Sequence, residues 1–282
     1  MGYKICVIRG DGIGNDVIDA GLKLLSHVNL DFDYSYAEAG YDYYLKNGTS
    51  IPQETIEACR NADATLFGAV SSPPDIPDYK SAIVTLRKEL DLFVNVRPIK
   101  SLPVEISRPN IDIVMMRENT EGMYKGIERE ENGVAIAERH ISKKASRRLA
   151  EFTYKYAREN SRKRVTVVHK ANVLRKTCGL FRRTVLSVSE KFPDIETEEV
   201  IVDAMAMRLI KEPERFDVVV TTNLFGDILS DEASQLVGGL GIAPSGNIGE
   251  KRGLFEPVHG SAPKYAGKDV ANPTATFLSA TM

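Results

Sequence analysis

The chain has 282 residues, of which 43% are hydrophobic and 27% are charged, and its formal net charge is −2 at pH 7. This is the composition of a globular protein of about two domains, and it excludes disorder and any overall attraction to nucleic acid or anionic lipid. No apolar run approaches the roughly 18 residues of a membrane span, and three scattered cysteines give no disulfide framework, so a cytoplasmic enzyme or binding protein is expected.

Apolar strands alternate with amphipathic helices along the chain, which is typical of an α/β fold. Most of the strands are continuous apolar runs, and such runs suit a mostly parallel sheet with both faces covered. A helix is predicted after Ser142, a potential N-cap, because Ala145, Leu149, Phe152 and Tyr156 follow at helical spacing. The strand-like segments are, in order, "KICVI", "ATLFGAV", "IDIVMM", "RVTVVH", "EEVIVD" and "FDVVVTT".

One segment departs from this pattern, between Tyr124 and His140. Two short runs there flank Asn132-Gly133, a dipeptide that favours a tight hairpin turn. We predict a β-arm, which in an α/β protein commonly serves contact between subunits. A plain surface hairpin is the alternative.

The glycine-rich turn after the first strand does not fit the dinucleotide-binding fingerprint. Gly10 and Gly12 match the first two glycines, but Asn15 stands where the third is required and Gly14 comes one residue early. The third glycine of that fingerprint allows close packing of helix on strand. If the chain binds a nucleotide, most of the contacts are expected elsewhere.

Two carboxylates in "TTNLFGDILSDEAS" carry the densest chemical signal. Asp227 and Asp231 are four residues apart, so on a helix they share one face near its start. Such a pair is costly unless a cation lies between the carboxylates, and oxygen ligands suit Mg²⁺ or Mn²⁺. The alternative is that both residues simply favour a helix N-terminus or pair with lysines.

Basic residues at the ends of predicted elements form a second signal. Arg87, Arg97 and Arg117 are of the type that binds carboxylates or phosphates through paired hydrogen bonds, although each alone also suits a surface ion pair. Lys170 directly follows an apolar strand, where partial desolvation would bring it toward the range of a base. The four histidines lack the paired spacing of metal ligands.

Seven motifs together resemble the metal-dependent β-decarboxylating dehydrogenases, which include isocitrate, homoisocitrate and 3-isopropylmalate dehydrogenases. The resemblance implies that family's two-domain α/β fold with a mostly parallel sheet and a β-arm, not a Rossmann fold. A discontinuous cofactor-side domain would comprise residues 1–95 and 238–282, and a second domain residues 96–237. The motifs are "GDGIG", "LRKELDLFVNVRP", "RENTEG", "HKANVL", "VDAMAM", "FGDILSDEAS" and "FEPVHGSAP" with the following "AGK" and "ANPTA".

The resemblance also implies roles for the polar residues. Arg87, Arg97 and Arg117 would hold substrate carboxylates. Asp227 and Asp231 would bind the metal ion, with Asp203 completing the site from a neighbouring subunit of a homodimer or tetramer. Lys170, also from that neighbour, would take the hydroxyl proton, and Tyr124 would protonate the enol.

Cofactor contacts are expected mainly from the loop "HGSAPKYAG", with the "GDGIG" turn near the nicotinamide. Lys264 and Tyr265 stand where NAD-using relatives commonly carry Asp, and both can donate to a 2′-phosphate, so NADP is favoured over NAD. An exposed lysine beside a packed tyrosine is the alternative interpretation of this pair. The residues expected to bind the cofactor are Ile13, Glu256, His259, Gly260, Ser261, Ala262, Lys264, Tyr265 and Asn272.

The substrate's variable group would face the segment "YKSAIVTLR". Ser81 lies where isocitrate enzymes bind a carboxylate, and Ser72 matches a homoisocitrate-enzyme position. Ile83 and Val84 could instead pack on the isopropyl group of 3-isopropylmalate. The motif "RENTEG" is similar to the isocitrate and homoisocitrate branch, so homoisocitrate is the prediction, with isocitrate or 3-isopropylmalate as alternatives.

A non-catalytic regulatory subunit of a heteromeric isocitrate dehydrogenase is the alternative of another class, but such subunits typically lose a catalytic residue and every expected one is present here. "NPTATFLSATM" begins like a helix at Asn272-Pro273. Relatives continue for some tens of residues beyond it, so a C-terminally incomplete cofactor-side domain is expected.

Overall fold

The computed structural model describes residues 2–76 and 79–282. The chain divides into two compact units, unit 1 with Met1–Leu92 and Gly239–Met282, and unit 2 with Phe93–Gly238. The sequence-based boundaries lie at 95/96 and 237/238, and the two units change over at 92/93 and 238/239.

Twelve strands and nine helices are described, together with four single turns of 3₁₀ helix. In chain order they are β1 (Tyr3–Gly10), α1 (Gly14–Leu25), β2 (Phe32–Ala37), α2 (Tyr41–Asn47), α3 (Gln53–Asn61), β3 (Ala64–Ala69), α4 (Ala82–Glu89), β4 (Val94–Lys100), β5 (Asp112–Glu118), β6 (Glu128–Glu131), β7 (Val134–Ala137), α5 (Lys143–Glu159), β8 (Arg164–His169), α6 (Thr177–Ser189), β9 (Glu196–Ile201), α7 (Val202–Lys211), β10 (Val218–Thr221), α8 (Asn223–Val237), β11 (Pro244–Ile248), β12 (Gly253–Pro257) and α9 (Thr274–Ala280).

Unit 1 is a sheet with the strand order β2-β1-β3-β12-β11, parallel except for the β11–β12 pair. The side chains of successive β1 residues point to opposite faces of the sheet, because side chains alternate along a strand. Cys6 and Ile8 pack in a cluster with Cys59 of α3, whereas Val7 packs in a second cluster with Ile18 of α1. Both faces of this sheet are therefore covered, and the strand ends remain to form loops.

Unit 2 is a sheet with the order β4-β5-β10-β8-β9, in which only β4 and β5 are antiparallel. Helices α5 and α6 pack together on this sheet, and α7 and α8 form a second packed pair. All residues of the central strand β10 are buried, from Val218 to Thr221. The carboxyl end of β10 leads directly into α8, which carries the two candidate metal ligands.

Most of the predicted elements are confirmed. Each of the six apolar segments contains a strand, although the last two residues of "EEVIVD", Val202 and Asp203, belong to α7. The arm is an antiparallel pair of β6 and β7 around Asn132 and Gly133, which have φ angles of 53° and 74°. The Ser142 side chain accepts a hydrogen bond from the Ala145 N–H at 3.1 Å, as expected of an N-cap. Within the described ranges no helix is long and apolar enough to span a membrane.

Strands β2, β4, β11 and β12 were missing from the prediction. β4 contains Pro98 and β11 contains Pro244 and Gly246, and these residue types are depleted in strands. β2 lies at the edge of its sheet, and none of its residues is fully buried. Pairing with neighbouring strands, which a sequence pattern does not reveal, stabilises these four segments.

Candidate active site

The two candidate metal ligands lie one turn apart on α8. Their carboxylates are partly open to solvent, with side-chain exposures of 31% for Asp227 and 47% for Asp231. Partial burial raises the pKa of Asp231, and the neighbouring Asp227 charge adds to this effect while Arg97 opposes it. The pair is therefore reachable from outside and is electrostatically strained without cations.

Two buried arginines hold these carboxylates from the protein side. Arg97 lies 3.3 Å from Asp227 and 3.1 Å from Asp231, and Arg117 contacts Asp227 directly. The side chains of Arg97 and Arg117 are only 7% and 1% exposed. Gly226 allows this arrangement, since a Cβ at that position would lie 2.7 Å from Cγ of Arg117. Two guanidinium groups thus face one partly open pair of carboxylates.

Tyr124 belongs to the same cluster. Its hydroxyl donates a hydrogen bond to the Asp227 carboxylate, and the Arg117 guanidinium lies 5.0 Å from the centre of its ring. A 3₁₀ turn between Gly122 and Gly126, both with positive φ, positions this tyrosine after β5. The structure therefore brings together four predicted site residues of different origin: Tyr124, Arg97, Arg117 and Asp227.

Asn223 is a polar residue of this cluster that the prediction missed. It is 1% exposed and accepts hydrogen bonds from Nε and Nη2 of Arg117, at 3.0 and 2.8 Å. Its amide donates to the Glu121 carbonyl at 3.1 Å. These bonds leave Nη1 of Arg117 directed to Asp227. The partners are about one hundred residues apart in the chain, so no local pattern indicates the contact.

Lys170 and Asp203 form a separate pair in unit 2. Nζ of Lys170 donates to Asp203 at 2.6 Å, and this bond lowers the pKa of the Asp203 carboxyl. Within residues 2–76 and 79–282, no three carboxylate, imidazole or thiol groups come together as a metal site. Asp203 therefore does not join Asp227 and Asp231 within one chain.

His169 fixes the turn that presents Lys170. Its Nδ1 accepts the Ala171 N–H at 3.1 Å, and its Nε2 lies 3.3 Å from Glu199. Burial lowers the pKa of His169, which keeps the ring neutral and Nδ1 free to accept. His169 therefore holds the backbone of the turn that presents Lys170.

The third predicted arginine, Arg87, lies in unit 1 in a closed environment. Its Nη2 bonds Glu256 at 2.9 Å, and the two side chains are 9% and 10% exposed. Glu256 also accepts from the Asn247 amide at 2.9 Å. Arg87 Nε is buried without a hydrogen-bond partner in the described part of the chain, so one donor remains for a ligand.

Several predicted cofactor residues surround a cavity of about 780 Å³ in unit 1. It is lined by the loops that follow β1 and β3, by the start of α2, and by residues 260–263 and Ala266. The Ile13 N–H donates to the Ser261 carbonyl at 2.8 Å, and Gly12 approaches that carbonyl so closely that a Cβ would lie 2.2 Å from it. The "GDGIG" turn and the "HGSAP" loop are thus in direct contact.

His259 supplies an unused acceptor beside these loops. Its Nδ1 lies 3.0 Å from the Gly260 carbonyl, which can only accept, so the tautomer with the proton on Nδ1 makes this hydrogen bond. Its Nε2 is buried with no partner among the described residues, and burial lowers the pKa of the ring. A buried orphan acceptor of this kind fits a hydroxyl or amino donor from a bound nucleotide.

The other predicted cofactor residues are more exposed. The Lys264 ammonium lies 4.9 Å from the centre of the Tyr265 ring, and both side chains reach solvent. Ala262 has a φ angle of 35° at the turn before them. Asn272 accepts the Thr274 N–H at 3.0 Å where α9 begins. An ammonium and a phenol hydroxyl are therefore available for a ligand here. The side-chain oxygen of Asn272 is already used to bind the backbone at the start of α9.

The four predicted specificity residues differ in environment. Ser72 is exposed and lines the 780 Å³ cavity. Ser81 precedes α4, and its hydroxyl has no hydrogen-bond partner in residues 2–76 and 79–282. Ile83 packs against the core cluster on the α3 face, while Val84 is half-buried. Ser81 is thus not used as a side-chain cap of α4, and one of the two apolar residues is already used in the core.

Comparison with known proteins gives a consistent set of similarities. Residues 4–282 match the family model described as isocitrate/isopropylmalate dehydrogenase. An isocitrate/homoisocitrate dehydrogenase of Thermus thermophilus is 53% identical over 100% of this chain and 85% of its own length. A 3-isopropylmalate dehydrogenase of Methanothermobacter thermautotrophicus is 52% identical over 99% and 84%. The crystal structure of isocitrate dehydrogenase from Methylococcus capsulatus superimposes with a TM-score of 0.95 at 42% identity, covering 98% and 83%.

Proposed function

The chain belongs to the isocitrate/isopropylmalate dehydrogenase family, and on that premise we propose that its substrate is homoisocitrate, with NADP as the preferred cofactor. As a member of the family it is a β-decarboxylating dehydrogenase that acts on the CH–OH group of a 2-hydroxy-3-carboxy acid. The family uses a divalent metal ion and NAD or NADP.

Asp227 and Asp231 would hold the metal ion. Their carboxylates meet the oxygen-donor preference of Mg²⁺ and Mn²⁺, and both are accessible. When bound, the ion would supply positive charge beside the oxygen that becomes negative, and NAD or NADP would supply the acceptor for the hydride from C2. The Arg97 and Arg117 guanidinium groups add positive charge beside Asp227.

The arginines and the tyrosine near Asp227 have different proposed roles. Arg97 and Arg117 are buried and oriented by Asn95, Ser230 and Asn223, so they can bind substrate carboxylates at little entropic cost. Tyr124 has its hydroxyl at Asp227, where it can give a proton to the carbon that loses CO₂. Arg87, whose Nε has no hydrogen-bond partner among the described residues, is in this proposal the third arginine that donates to substrate carboxylates.

A second copy of the chain would complete each site. Lys170 and Asp203 contact one another, while Asp203 lies apart from the carboxylates of α8 in its own chain. Supplied as a pair by a second copy, Asp203 would provide the missing oxygen ligand and Lys170 would take the hydroxyl proton. A homodimer or tetramer follows, since two-fold symmetry gives both sites the same contribution.

The preference for NADP rests on Lys264 and Tyr265. Both side chains are exposed and stacked, so an ammonium and a phenol hydroxyl are offered to a 2′-phosphate. The orphan Nε2 of His259 and the cavity next to Ser261 support a nucleotide in the same unit.

The choice of homoisocitrate rests on Ser72 and Ser81. Their hydroxyls can bind the distal carboxylate of a tricarboxylic acid, whereas Ile83 is engaged in the core and contributes less to a pocket for an isopropyl group. Homoisocitrate and isocitrate differ by one methylene, which a pocket discriminates by only about 1–3 kcal/mol. Substantial activity on isocitrate is therefore expected.

The single observation that carries the proposal is the Asp227 carboxylate, partly exposed and surrounded by Arg97, Arg117 and Tyr124. The test is kcat/KM for homoisocitrate, isocitrate and 3-isopropylmalate with NADP and with NAD, measured on one preparation with Mg²⁺. We expect the order homoisocitrate, isocitrate, 3-isopropylmalate, with NADP favoured about tenfold. A clear preference for 3-isopropylmalate would assign the pocket to Val84 and Ile83, and a large preference for NAD would remove the proposed role of Lys264.

A further inference from the structure

Asp11, in the middle of the "GDGIG" turn, is a buried carboxylate with no assigned role. It is only 2% exposed, and no lysine or arginine of residues 2–76 and 79–282 forms an ion pair with it. A buried charge without a counter-ion is costly unless hydrogen bonds to the charged form replace its hydration. The hydrogen bonds of Asp11 therefore decide what it does.

Three backbone N–H groups supply that replacement. Oδ2 accepts from Tyr41 at 2.8 Å and from Ser71 at 2.7 Å, and Oδ1 accepts from Asp42 at 2.9 Å. Gly40 makes the close approach possible, because a Cβ there would lie 2.4 Å from Oδ1. One carboxylate thus fixes the start of α2 and the loop after β3 relative to the end of β1.

A hydroxyl contact extends this connection to a fourth loop. Ser71 Oγ lies 2.6 Å from Ser261 Oγ, and the Ser261 carbonyl accepts the Ile13 N–H. The Ser71 carbonyl in turn accepts from the Tyr79 hydroxyl at 3.1 Å. Asp11, Tyr41, Asp42, Ser71 and Ser261 all line the 780 Å³ cavity. The wall of this cavity is therefore held together by Asp11 rather than by apolar packing alone.

We infer that Asp11 is a positioning residue for cofactor binding: through Ser71 its carboxylate holds the "HGSAP" loop in the conformation that receives the nucleotide. This inference rests on the proposed function, in which the cavity binds NADP. Asp11 touches neither cofactor nor substrate in this account. It acts by removing the freedom of loops that would otherwise have to be ordered on binding.

Asp11→Asn tests the inference at constant size. In the asparagine side chain an NH₂ group replaces one of the two carboxylate oxygens. This group is itself a donor, so at least one of the three backbone N–H groups loses its acceptor. We expect Kd for NADP, measured by calorimetry on the full chain, to rise at least about tenfold. We expect kcat at saturating NADP to stay within about threefold, since the groups of α8 are unchanged. Hydrogen exchange of the backbone amides of residues 259–262 should accelerate.

Two further variants separate positioning from general stability. Cys59→Ala opens a void in the α3 core away from the cavity, so it should lower Tm and leave Kd for NADP unchanged. Ser71→Ala keeps the backbone bond to Asp11 and removes only the hydroxyl contact, so it should raise Kd about threefold.

Wild-type protein that binds neither NADP nor NAD would overturn the proposed function of the cavity. Wild-type binding that Asp11→Asn leaves unchanged would overturn the role of Asp11 alone. If Asp11→Asn does not fold, an unchanged Kd in Ser71→Ala overturns it.

Discussion

Arginine and carboxylate side chains meet in both units, but in different ways. In unit 1, Arg87 and Glu256 are about equally buried, at 9% and 10% exposure, and form a closed pair. In unit 2, Arg97 and Arg117 are buried while their partners Asp227 and Asp231 are 31% and 47% exposed. The first arrangement satisfies its charges inside the protein, whereas the second keeps one side of its carboxylates open.

This difference indicates which cluster can bind a cation from outside. A closed pair has little left to offer a metal ion, because both partners would have to separate first. Partly exposed carboxylates can be reached from solvent. The arginines behind them have hydrogen bonds to Asn95, Ser230 and Asn223 that hold them in place. The carboxylates of unit 2 can therefore be reached by a cation, whereas Glu256 of unit 1 is closed off by its arginine.

The largest expected effect comes from Asp227→Asn. Loss of a metal ligand should reduce kcat by more than about 1,000-fold, since a bound ion contributes several kcal/mol to transition-state stabilisation. The fold should persist, as judged by circular dichroism, because the amide oxygen can still accept from Arg117. Glu232→Gln is the matched control on the same helix, and it should retain activity within about twofold. Comparable losses in both variants would mean that α8 responds to any change of charge.

A second variant set compares the two clusters directly. Arg87→Met leaves the buried Glu256 charge without its cation and should cost roughly 3–5 kcal/mol of unfolding free energy. Arg97→Met should cost less, because water can reach Asp227 and Asp231. Adding Glu256→Gln to Arg87→Met should recover most of the stability but not the activity, since Arg87 is also proposed to bind substrate. Urea unfolding and kcat/KM check these points, and equal stability losses would remove the distinction.

The smallest expected effect is a partial recovery of activity on mixing. Lys170→Ala and Asp227→Asn chains are each expected to be inactive, but a mixed dimer has one site with both residues intact. After subunit exchange a one-to-one mixture should reach about a quarter of wild-type activity. Mixing without exchange is the control. Recovery in that control, or activity confined to a monomer in sedimentation experiments, would contradict shared sites.

The sequence predicts the parts of the molecule that depend on local patterns. Continuous apolar runs identify β10 and its neighbours because both faces of these strands are buried, and Ser142 identifies the start of α5 because a cap is a local bond. β4 escapes prediction because Pro98 and Arg97 break its apolar pattern, although pairing with β5 makes it a strand.

In the candidate site, too, the residues with a local sequence pattern are predictable and the others are not. Asp227 and Asp231 are predictable because four-residue spacing on a helix fixes their common face. The roles of Asn223 and Asp11 are not predictable, because their partners are distant in the sequence. Asn223 is 106 residues from Arg117, and Asp11 is 60 residues from Ser71. The closed environment of Arg87 likewise depends on Glu256, 169 residues further along the chain. Only the folded chain distinguishes Arg87 from Arg97 and Arg117.

Turnover by this protein should depend on a divalent ion bound at Asp227 and Asp231. Purified wild-type protein is assayed with isocitrate or homoisocitrate and NADP in excess chelator, and then with added Mg²⁺ or Mn²⁺. We expect no turnover in chelator and full recovery when the ion is restored, because Asp227 and Asp231 are proposed to bind the ion that the reaction requires. Full turnover in excess chelator would contradict it.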